Sequence, residues 1–229
     1  IEKALLHLAE IPSIYHARLA VFLQRRGHLR EALKISPNAT FQFNLALQLG
    51  DLSVARDLLD SKLPQESEKW QELGGAALKA WHLPIAEEAL RRSGDLSSLF
   101  LLYAAAGDVD GLLLVAREAS CKPESVNLAF AAYVKAGAYR PAFDLLIASN
   151  RGPEAALFAR TYGLSEKETS EAVEFWRKSL KKGKASEALA DPSSNPDLFS
   201  NVQFNEDSAE AYSFAIPVEV CIKPVCAAN

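Results

Sequence analysis

Residues 50–55 have the sequence Gly-Asp-Leu-Ser-Val-Ala, and this six-residue pattern recurs along the chain. A Gly is likewise followed five positions later by Ala in residues 27–32 (Gly-His-Leu-Arg-Glu-Ala) and 137–142 (Gly-Ala-Tyr-Arg-Pro-Ala). Gly just beyond a helix end adopts the left-handed backbone conformation, and an Asp after it suits the N-cap of the next helix. Each copy therefore predicts one helix ending and another beginning, with the Ala on the packed face.

Less regular copies of the pattern begin at Trp81, Gly94, Gly107 and Asn150. Trp81, Gly94 and Gly107 follow one another at intervals of 13 residues, and the same interval separates Gly137 from Asn150. Such an interval accommodates a helix of about ten residues, ~15 Å long, and a short turn. Two such helices form a hairpin, and hairpins of this size bury their apolar faces by stacking on one another.

The spacing predicts an all-α fold, a TPR-like α-solenoid of stacked short helical hairpins over residues 1–199. The composition of 49% hydrophobic and 24% charged residues is that of a globular domain. An irregular helical bundle is the alternative, but the regular turn spacing favours the solenoid. The turn-rich stretch 191–196 precedes a change of composition, and the apolar stretch 215–225 contains two prolines. Residues 200–229 are therefore predicted to form a separate, irregular or partly extended tail.

Two further segments have less regular patterns. The stretch from Thr161 to Leu180 carries Val173, Trp176 and Leu180 on one helical face, which predicts a single longer helix. The stretch from Pro64 to Glu72 is polar and predicts a longer connection that leads into the next helix.

Charge and hydropathy exclude several classes of function. The net charge of −4 leaves no basic excess for nucleic acid. A cluster of lysines near residue 180 is interpreted as a solvated helix end, with contact to an acidic partner or an anionic membrane surface as the alternative; it comprises Lys178, Lys181, Lys182 and Lys184. No run of 18 apolar residues predicts a membrane span. The first residues, Ile-Glu-Lys, are not a signal peptide, and we expect the chain to be a piece of a longer protein.

The cysteines and histidines predict no metal centre. Cys121, Cys221 and Cys226 are too few for a disulfide framework in a chain of 229 residues, which favours a reducing, cytoplasmic compartment. Cys221 and Cys226 are close in sequence, but no further pair completes a zinc ligand set. None of the histidines lies at metal-ligand spacing from another; they are His7, His16, His28 and His82.

The sequence also contains no recognisable catalytic constellation. Gly74–Gly75 is not a phosphate-binding loop, because no Lys-Ser or Lys-Thr pair follows it. Glu87 and Glu88 are adjacent on a predicted helix and are interpreted as solvated surface. The aromatic residues within apolar runs are interpreted as core; they are Trp70, Tyr103, Phe130, Tyr133, Phe143, Phe158 and Trp176. We therefore predict no enzyme activity, no cofactor and no catalytic, cofactor-binding or metal-binding residue, and the sequence does not identify the partner-binding residues.

Several stretches resemble the beta-prime subunit family of coatomer. They are residues 43–52 (FNLALQLGDL), 70–74 (WQELG), 99–103 (LFLLY), 127–130 (NLAF), 150–162 (NRGPEAALFARTY), 175–177 (FWR) and 186–192 (SEALADP), followed by Leu198-Phe199. The resemblance runs in order from about Val21 to Phe199. The last two blocks favour beta-prime over the related alpha subunit, and in the tail after Phe199 we recognise no resemblance.

This resemblance implies a structural scaffold of the coatomer (COPI) vesicle coat, acting in Golgi-to-ER and intra-Golgi transport. It implies pairing with the alpha-coatomer solenoid and other coatomer subunits, without nucleic acid or membrane insertion. The implied location is cytoplasmic, peripheral on Golgi and coated-vesicle membranes. The propellers that bind dilysine cargo in this family are absent from this chain, so no cargo-binding residue is implied.

Alternative functions remain open at this point. Another trafficking or pore-complex solenoid, or a peptide-binding adaptor, would share the same helical architecture. An enzyme accessory domain is the alternative from a different class.

Overall fold

The computed structural model describes residues 12–180 and 188–200. Within these ranges the chain forms twelve α-helices and three short 3-10 helices, at Ser13–Tyr15, Pro123–Ser125 and Pro196–Phe199. The chain divides into two compact units, the first ending at residue 99 and the second beginning at residue 100. The predictions for the tail after Ser200, and for three of the four clustered lysines, lie outside the described residues.

Six helices belong to the first unit: α1 (His16–Arg25), α2 (Leu29–Ile35), α3 (Ala39–Leu49), α4 (Leu52–Lys62), α5 (Ser67–Lys79) and α6 (Leu83–Ser93). A seventh, α7 (Leu96–Ala106), begins in the first unit and ends in the second. Each of α1 to α5 packs against the helix that follows it, and α4 also contacts α6. Packing between neighbours in sequence is the arrangement expected of stacked hairpins.

The second unit continues with α8 (Val109–Ser120), α9 (Val126–Lys135), α10 (Tyr139–Ala148), α11 (Gly152–Tyr162) and α12 (Glu166–Ser179). Here too each helix from α8 onward packs against the next. The connections between these helices are short, so consecutive helices reverse direction as hairpins do.

The predicted turns are confirmed. The left-handed conformation occurs at every position where the spacing placed it; these residues are Gly27, Gly50, Trp81, Gly94, Gly107, Gly137 and Asn150. At Gly50, φ is 72°, its N–H donates to the Leu47 carbonyl at 3.1 Å, and the next N–H donates to the Ala46 carbonyl at 3.0 Å. These two hydrogen bonds form a Schellman motif, which satisfies carbonyls at the helix end.

The position five residues after each of these turn residues lies in the core. These side chains are at most 2% exposed; they are Ala32, Ala55, Ala86, Leu99, Leu112, Ala142 and Ala155. The small Ala side chains allow neighbouring helices to approach closely. The predicted N-caps are also confirmed, since the carboxylates of Asp51, Asp95 and Asp108 each accept a backbone N–H three residues later.

A single helix from Thr161 to Leu180 was a wrong prediction. Gly163 has a φ of 63° and ends α11, and α12 begins after Ser165. The Ser165 hydroxyl accepts the Glu168 N–H at 3.3 Å, and the Glu168 carboxylate accepts the Ser165 N–H at 2.9 Å. This capping box starts a new helix two residues after the left-handed turn.

The predicted polar connection from Pro64 to Glu72 is also too long. Helix α5 already begins at Ser67, so the polar residues that follow it are helical. Their pattern is polar because they form the exposed face of the first turns. Trp70 lies on the opposite face and is 1% exposed, which fixes this segment to the core of the first unit.

Candidate partner-binding surface

The histidines and the described cysteine are spread over different elements. His16 begins α1, whereas His28 and His82 each follow a left-handed turn residue; His28 is half-buried and His82 is exposed. Cys121 is exposed at the end of α8. In the part of the chain that the structure describes, no group of three or more His, Cys, Asp or Glu is placed to hold a metal ion. His7, Cys221 and Cys226 lie outside the described residues.

Gly74 and Gly75 lie inside helix α5, not in a loop. A Cβ at Gly74 would lie 2.9 Å from Leu90 Cδ2, so the absence of a side chain lets α5 approach α6 closely. A Cβ at Gly75 would meet nothing within 4 Å. The glycine pair therefore serves helix packing through its first member.

Charged side chains connect α4 with α6. Glu87 pairs with Arg91 at 2.9 Å, and Glu88 pairs with Arg92 at 3.1 Å. Arg92 also pairs with Asp60 of α4, whose hydrogen bond raises the pKa of the guanidinium. Glu87 and Glu88 are therefore paired surface side chains. Exposed ion pairs of this kind contribute little each, on the order of 0–1 kcal/mol.

The aromatic residues predicted as core divide into two groups. Five of them are buried; they are Trp70, Tyr103, Tyr133, Phe143 and Phe158. Phe130 and Trp176 are half-buried. The Phe130 and Phe158 rings meet edge to face with centroids 5.4 Å apart, and Phe158 also packs on Tyr162 at 4.5 Å. Burial raises the pKa of Tyr133, although a hydrogen bond with Ser120 opposes this shift.

The segment after α12 folds back onto the second unit. Asp191 is 5% exposed, and its carboxylate accepts the Ser194 N–H at 2.9 Å and an Arg177 N–H at 3.1 Å. Burial alone raises the pKa of Asp191, but these hydrogen bonds outweigh it and hold the pKa below its ordinary value. Farther along, Phe199 is 9% exposed and lies under the Arg160 guanidinium at 5.4 Å.

Buried Glu168 makes a structural contact that the residue patterns above did not predict. Its side chain is 8% exposed, and it pairs with Arg140 of α10 while capping α12. The Ser-x-x-Glu spacing of residues 165–168 was the signal that could have identified it. This network joins α10 to the start of α12, so it sets the position of the last hairpin.

Large apolar side chains are also present at the surface. The most exposed are Trp81 at 83%, Ile14 at 79%, and Leu101 and Leu198 at 66% each. Trp81 is the largest of them and occupies a turn between two helices. Along residues 12–180 and 188–200, no helix is long and apolar enough to cross a membrane.

Comparison with known proteins identifies the family. Residues 1–177 match the model of the COPA/B TPR domain. The chain belongs to the COPA/B TPR domain family. The prediction of an all-α, TPR-like solenoid is therefore confirmed, because the helical hairpins of both units agree with this domain.

Coatomer beta' subunits of plants and animals are similar to this chain in sequence. Coatomer subunit beta'-1 of Arabidopsis thaliana is 40% identical over 205 residues, 89% of this chain and 22% of the relative. Coatomer subunit beta' of Drosophila melanogaster is 38% identical over 201 residues, 86% of this chain and 21% of the relative. These names agree with the predicted beta-prime resemblance. The chain spans about a fifth of the length of the curated relatives that it matches.

One similarity extends into the C-terminal tail. A putative coatomer subunit beta'-3 of Oryza sativa subsp. japonica is 40% identical over 219 residues, 95% of this chain. That alignment leaves only about eleven residues of this chain outside, so it includes more than half of residues 200–229. The similarity to this relative therefore continues past Phe199, where the sequence patterns gave no recognisable resemblance. The division into domains 1–199 and 200–229 stays a prediction.

Proposed function

We propose that this chain is a structural scaffold segment of the coatomer (COPI) vesicle coat. The observation that carries the proposal is its similarity to coatomer beta' subunits, about 40% identical over about nine-tenths of the chain. On this proposal the helical repeats pair with the solenoid of the alpha-coatomer subunit and assemble with the other coatomer subunits. The coat then acts in Golgi-to-ER and intra-Golgi transport, peripheral to the membrane and on its cytoplasmic side.

The geometry supports a role in binding. Stacked helical hairpins present extended lateral surfaces on which partners dock, and such surfaces use exposed apolar side chains within a polar surround. Trp81 and Leu101 provide such side chains in the middle of the chain. On this proposal the chain acts without catalysis and without a cofactor.

A pull-down tests the pairing. The 229-residue chain is passed over immobilised alpha-coatomer solenoid, with an unrelated TPR solenoid of similar size and net charge as the control. We expect retention on the alpha-coatomer solenoid and none on the control. Equal retention on both surfaces, or none on either, contradicts the proposed pairing.

A further inference from the structure

The turn between α5 and α6 departs from the other turns of the chain. Among the described residues, the left-handed conformation is adopted by Trp81, by Asn150 and by six glycines. Asn tolerates this conformation through its short polar side chain, whereas a bulky residue there is an outlier. Trp81 has a φ of 57° and is 83% exposed. A backbone outlier at an exposed aromatic residue is a reason to ask what the residue does.

Folding does not require a tryptophan at this position. The Trp81 N–H donates to the Leu78 carbonyl at 3.1 Å, and the His82 N–H donates to the Ala77 carbonyl at 2.9 Å. Four of the glycine turns close with the same two backbone hydrogen bonds; they are the turns at Gly27, Gly50, Gly94 and Gly137. A glycine at position 81 would therefore form the same turn without the left-handed strain.

The side chains around Trp81 define the chemistry of the turn. Residues 79–84 are all exposed, and Leu83 next to Trp81 is 41% exposed. Lys79 is the only Lys or Arg among residues 74–86, and the next acids in the sequence, Glu87 and Glu88, are paired with arginines of α6. The turn therefore offers a large apolar group beside one positive charge. An apolar pocket with a carboxylate rim is its complement.

A protein pocket fits this turn better than a lipid surface does. Trp is strongly enriched among the residues that dominate binding at protein interfaces. A membrane contact needs more apolar area or a polybasic patch, because stable anchoring takes two such signals. One indole, one Leu and one Lys provide neither.

We propose that the Trp81 turn, residues 79–84, is a docking point that inserts the Trp81 indole into an apolar, acid-rimmed pocket on a protein partner. The identification of that partner as the alpha-coatomer solenoid rests on the function proposed above. The strain at Trp81 then has a role, because it projects the indole away from the helices.

The test compares two variants that remove a strained side chain from the same backbone conformation. Trp81→Gly removes the indole, and Asn150→Gly is the matched control at the other non-glycine turn. The affinity of each 229-residue variant for the alpha-coatomer solenoid is measured by titration calorimetry, and the thermal midpoint of each variant is measured in the absence of the partner. We expect Trp81→Gly to bind at least ~30-fold more weakly, with an unchanged or higher midpoint. Asn150→Gly should bind within about twofold of wild type, as expected for a residue outside the energetic centre of an interface.

Binding of Trp81→Gly as tight as that of wild type would overturn the docking proposal while leaving the alpha-coatomer pairing intact. A lowered midpoint for Trp81→Gly would also count against it, since it would show that the indole supports the fold. Failure of the wild-type chain to bind would instead contradict the pairing.

A second readout keeps the two proposals separate. The chain is labelled with 5-fluorotryptophan, and the 19F resonance of Trp81 is assigned by its loss in Trp81→Gly; Trp70 and Trp176 give the other two resonances. The unlabelled alpha-coatomer solenoid, the remaining coatomer subunits, or vesicles with anionic headgroups are then added in turn. A shift of the Trp81 resonance with either protein sample supports docking. A shift with vesicles alone, or with none of the three, overturns it.

Discussion

The two ends of helix α6 have the same backbone geometry and different chemistry. At its start, Trp81 is left-handed with a φ of 57°, and His82 provides no side-chain cap. At its end, Gly94 is left-handed with a φ of 73°, and the Asp95 carboxylate accepts the Ser98 N–H at 3.0 Å and the Ser98 hydroxyl at 2.7 Å. The Gly94 turn is unstrained and capped, as a structural turn should be. The Trp81 turn is strained and uncapped, and it exposes its side chain.

Each end of α6 also has its own tryptophan. The Arg92 guanidinium, near the end of α6, lies 4.6 Å from the Trp70 ring, and Trp70 is 1% exposed. Trp81 at the other end is 83% exposed. Residue type alone therefore does not distinguish core from surface here. The position in the repeat decides whether a tryptophan is buried, because a left-handed turn residue points its side chain away from both helices.

The largest expected effect contrasts these two tryptophans. Trp70→Ala should lower the free energy of unfolding by about 3–5 kcal/mol, because it leaves a cavity in a packed core. Trp81→Ala should change it by less than about 0.5 kcal/mol, because the side chain is exposed. Urea unfolding of both variants measures the difference. Similar losses in the two would contradict the assignment of one tryptophan to the core and the other to the surface.

The next largest expected change in stability comes from removing the helix cap at the Gly94 turn. Asp95→Ala removes the acceptor for the Ser98 N–H and should cost about 1–2 kcal/mol. His82→Ala at the equivalent position of the Trp81 turn removes no cap and should be nearly neutral. Thermal unfolding of the pair checks this. If His82→Ala lowered the stability as much as Asp95→Ala does, the His82 side chain would have to cap the helix, which contradicts the structure.

Strain at the turn should be measurable by adding a side chain to the glycine. Gly94→Val should cost about 1–2 kcal/mol, because a β-branched residue is disfavoured in the left-handed region. Gly75→Ala is the matched control, since it lies within helix α5 with open space around its Cβ. It should stabilise the chain by about 0.5–1 kcal/mol. Losses of equal size in both variants would contradict the distinction between turn and helix glycines.

The smallest effect is a pH dependence at the capped end of α6. Burial raises the pKa of Asp95, but hydrogen bonds from Ser98 and Gln71 outweigh it, so the folded pKa lies below its ordinary value. The ionised carboxylate therefore stabilises the fold above the unfolded pKa of about 3.9. That contribution is lost as the pH falls through the lower, folded pKa.

Asp95→Asn isolates this contribution, because Asn also caps helices but does not titrate. The stability difference between wild type and variant, measured by urea unfolding between about pH 6 and pH 2.5, should shrink as the pH falls. A difference that stays constant would show that the folded and unfolded pKa values of Asp95 are equal.

Much of this fold could be predicted because its decisive signals are local. A left-handed residue, an N-cap and a buried Ala lie within six residues of one another, so the spacing alone located Trp81 and Asn150 as turn residues without a glycine. The left-handed turn at Gly163 was not predicted, because its sequence does not follow this local pattern. The residue five positions after it is Glu168, a buried acid in place of the apolar residue that the pattern requires.

The remaining features depend on contacts between distant residues. Asp191 is buried because Arg177 lies across from it, fourteen positions earlier in the sequence. Phe199 is covered by Arg160 in the same way. No local pattern specifies such pairs, so a turn-rich stretch gave no indication that it would fold back onto the second unit. The exposure of Trp81 was also unforeseen, although the left-handed conformation that causes it was implied by the spacing.

The most direct test of the account is gel filtration with light scattering of the 229-residue chain mixed with the alpha-coatomer solenoid at micromolar concentration. If these helical repeats pair with that partner, the mixture elutes as a single peak whose mass is that of the complex, with both chains present. Two separate peaks at the masses of the free proteins would contradict the claim that these helical repeats act as a coat scaffold through that partner.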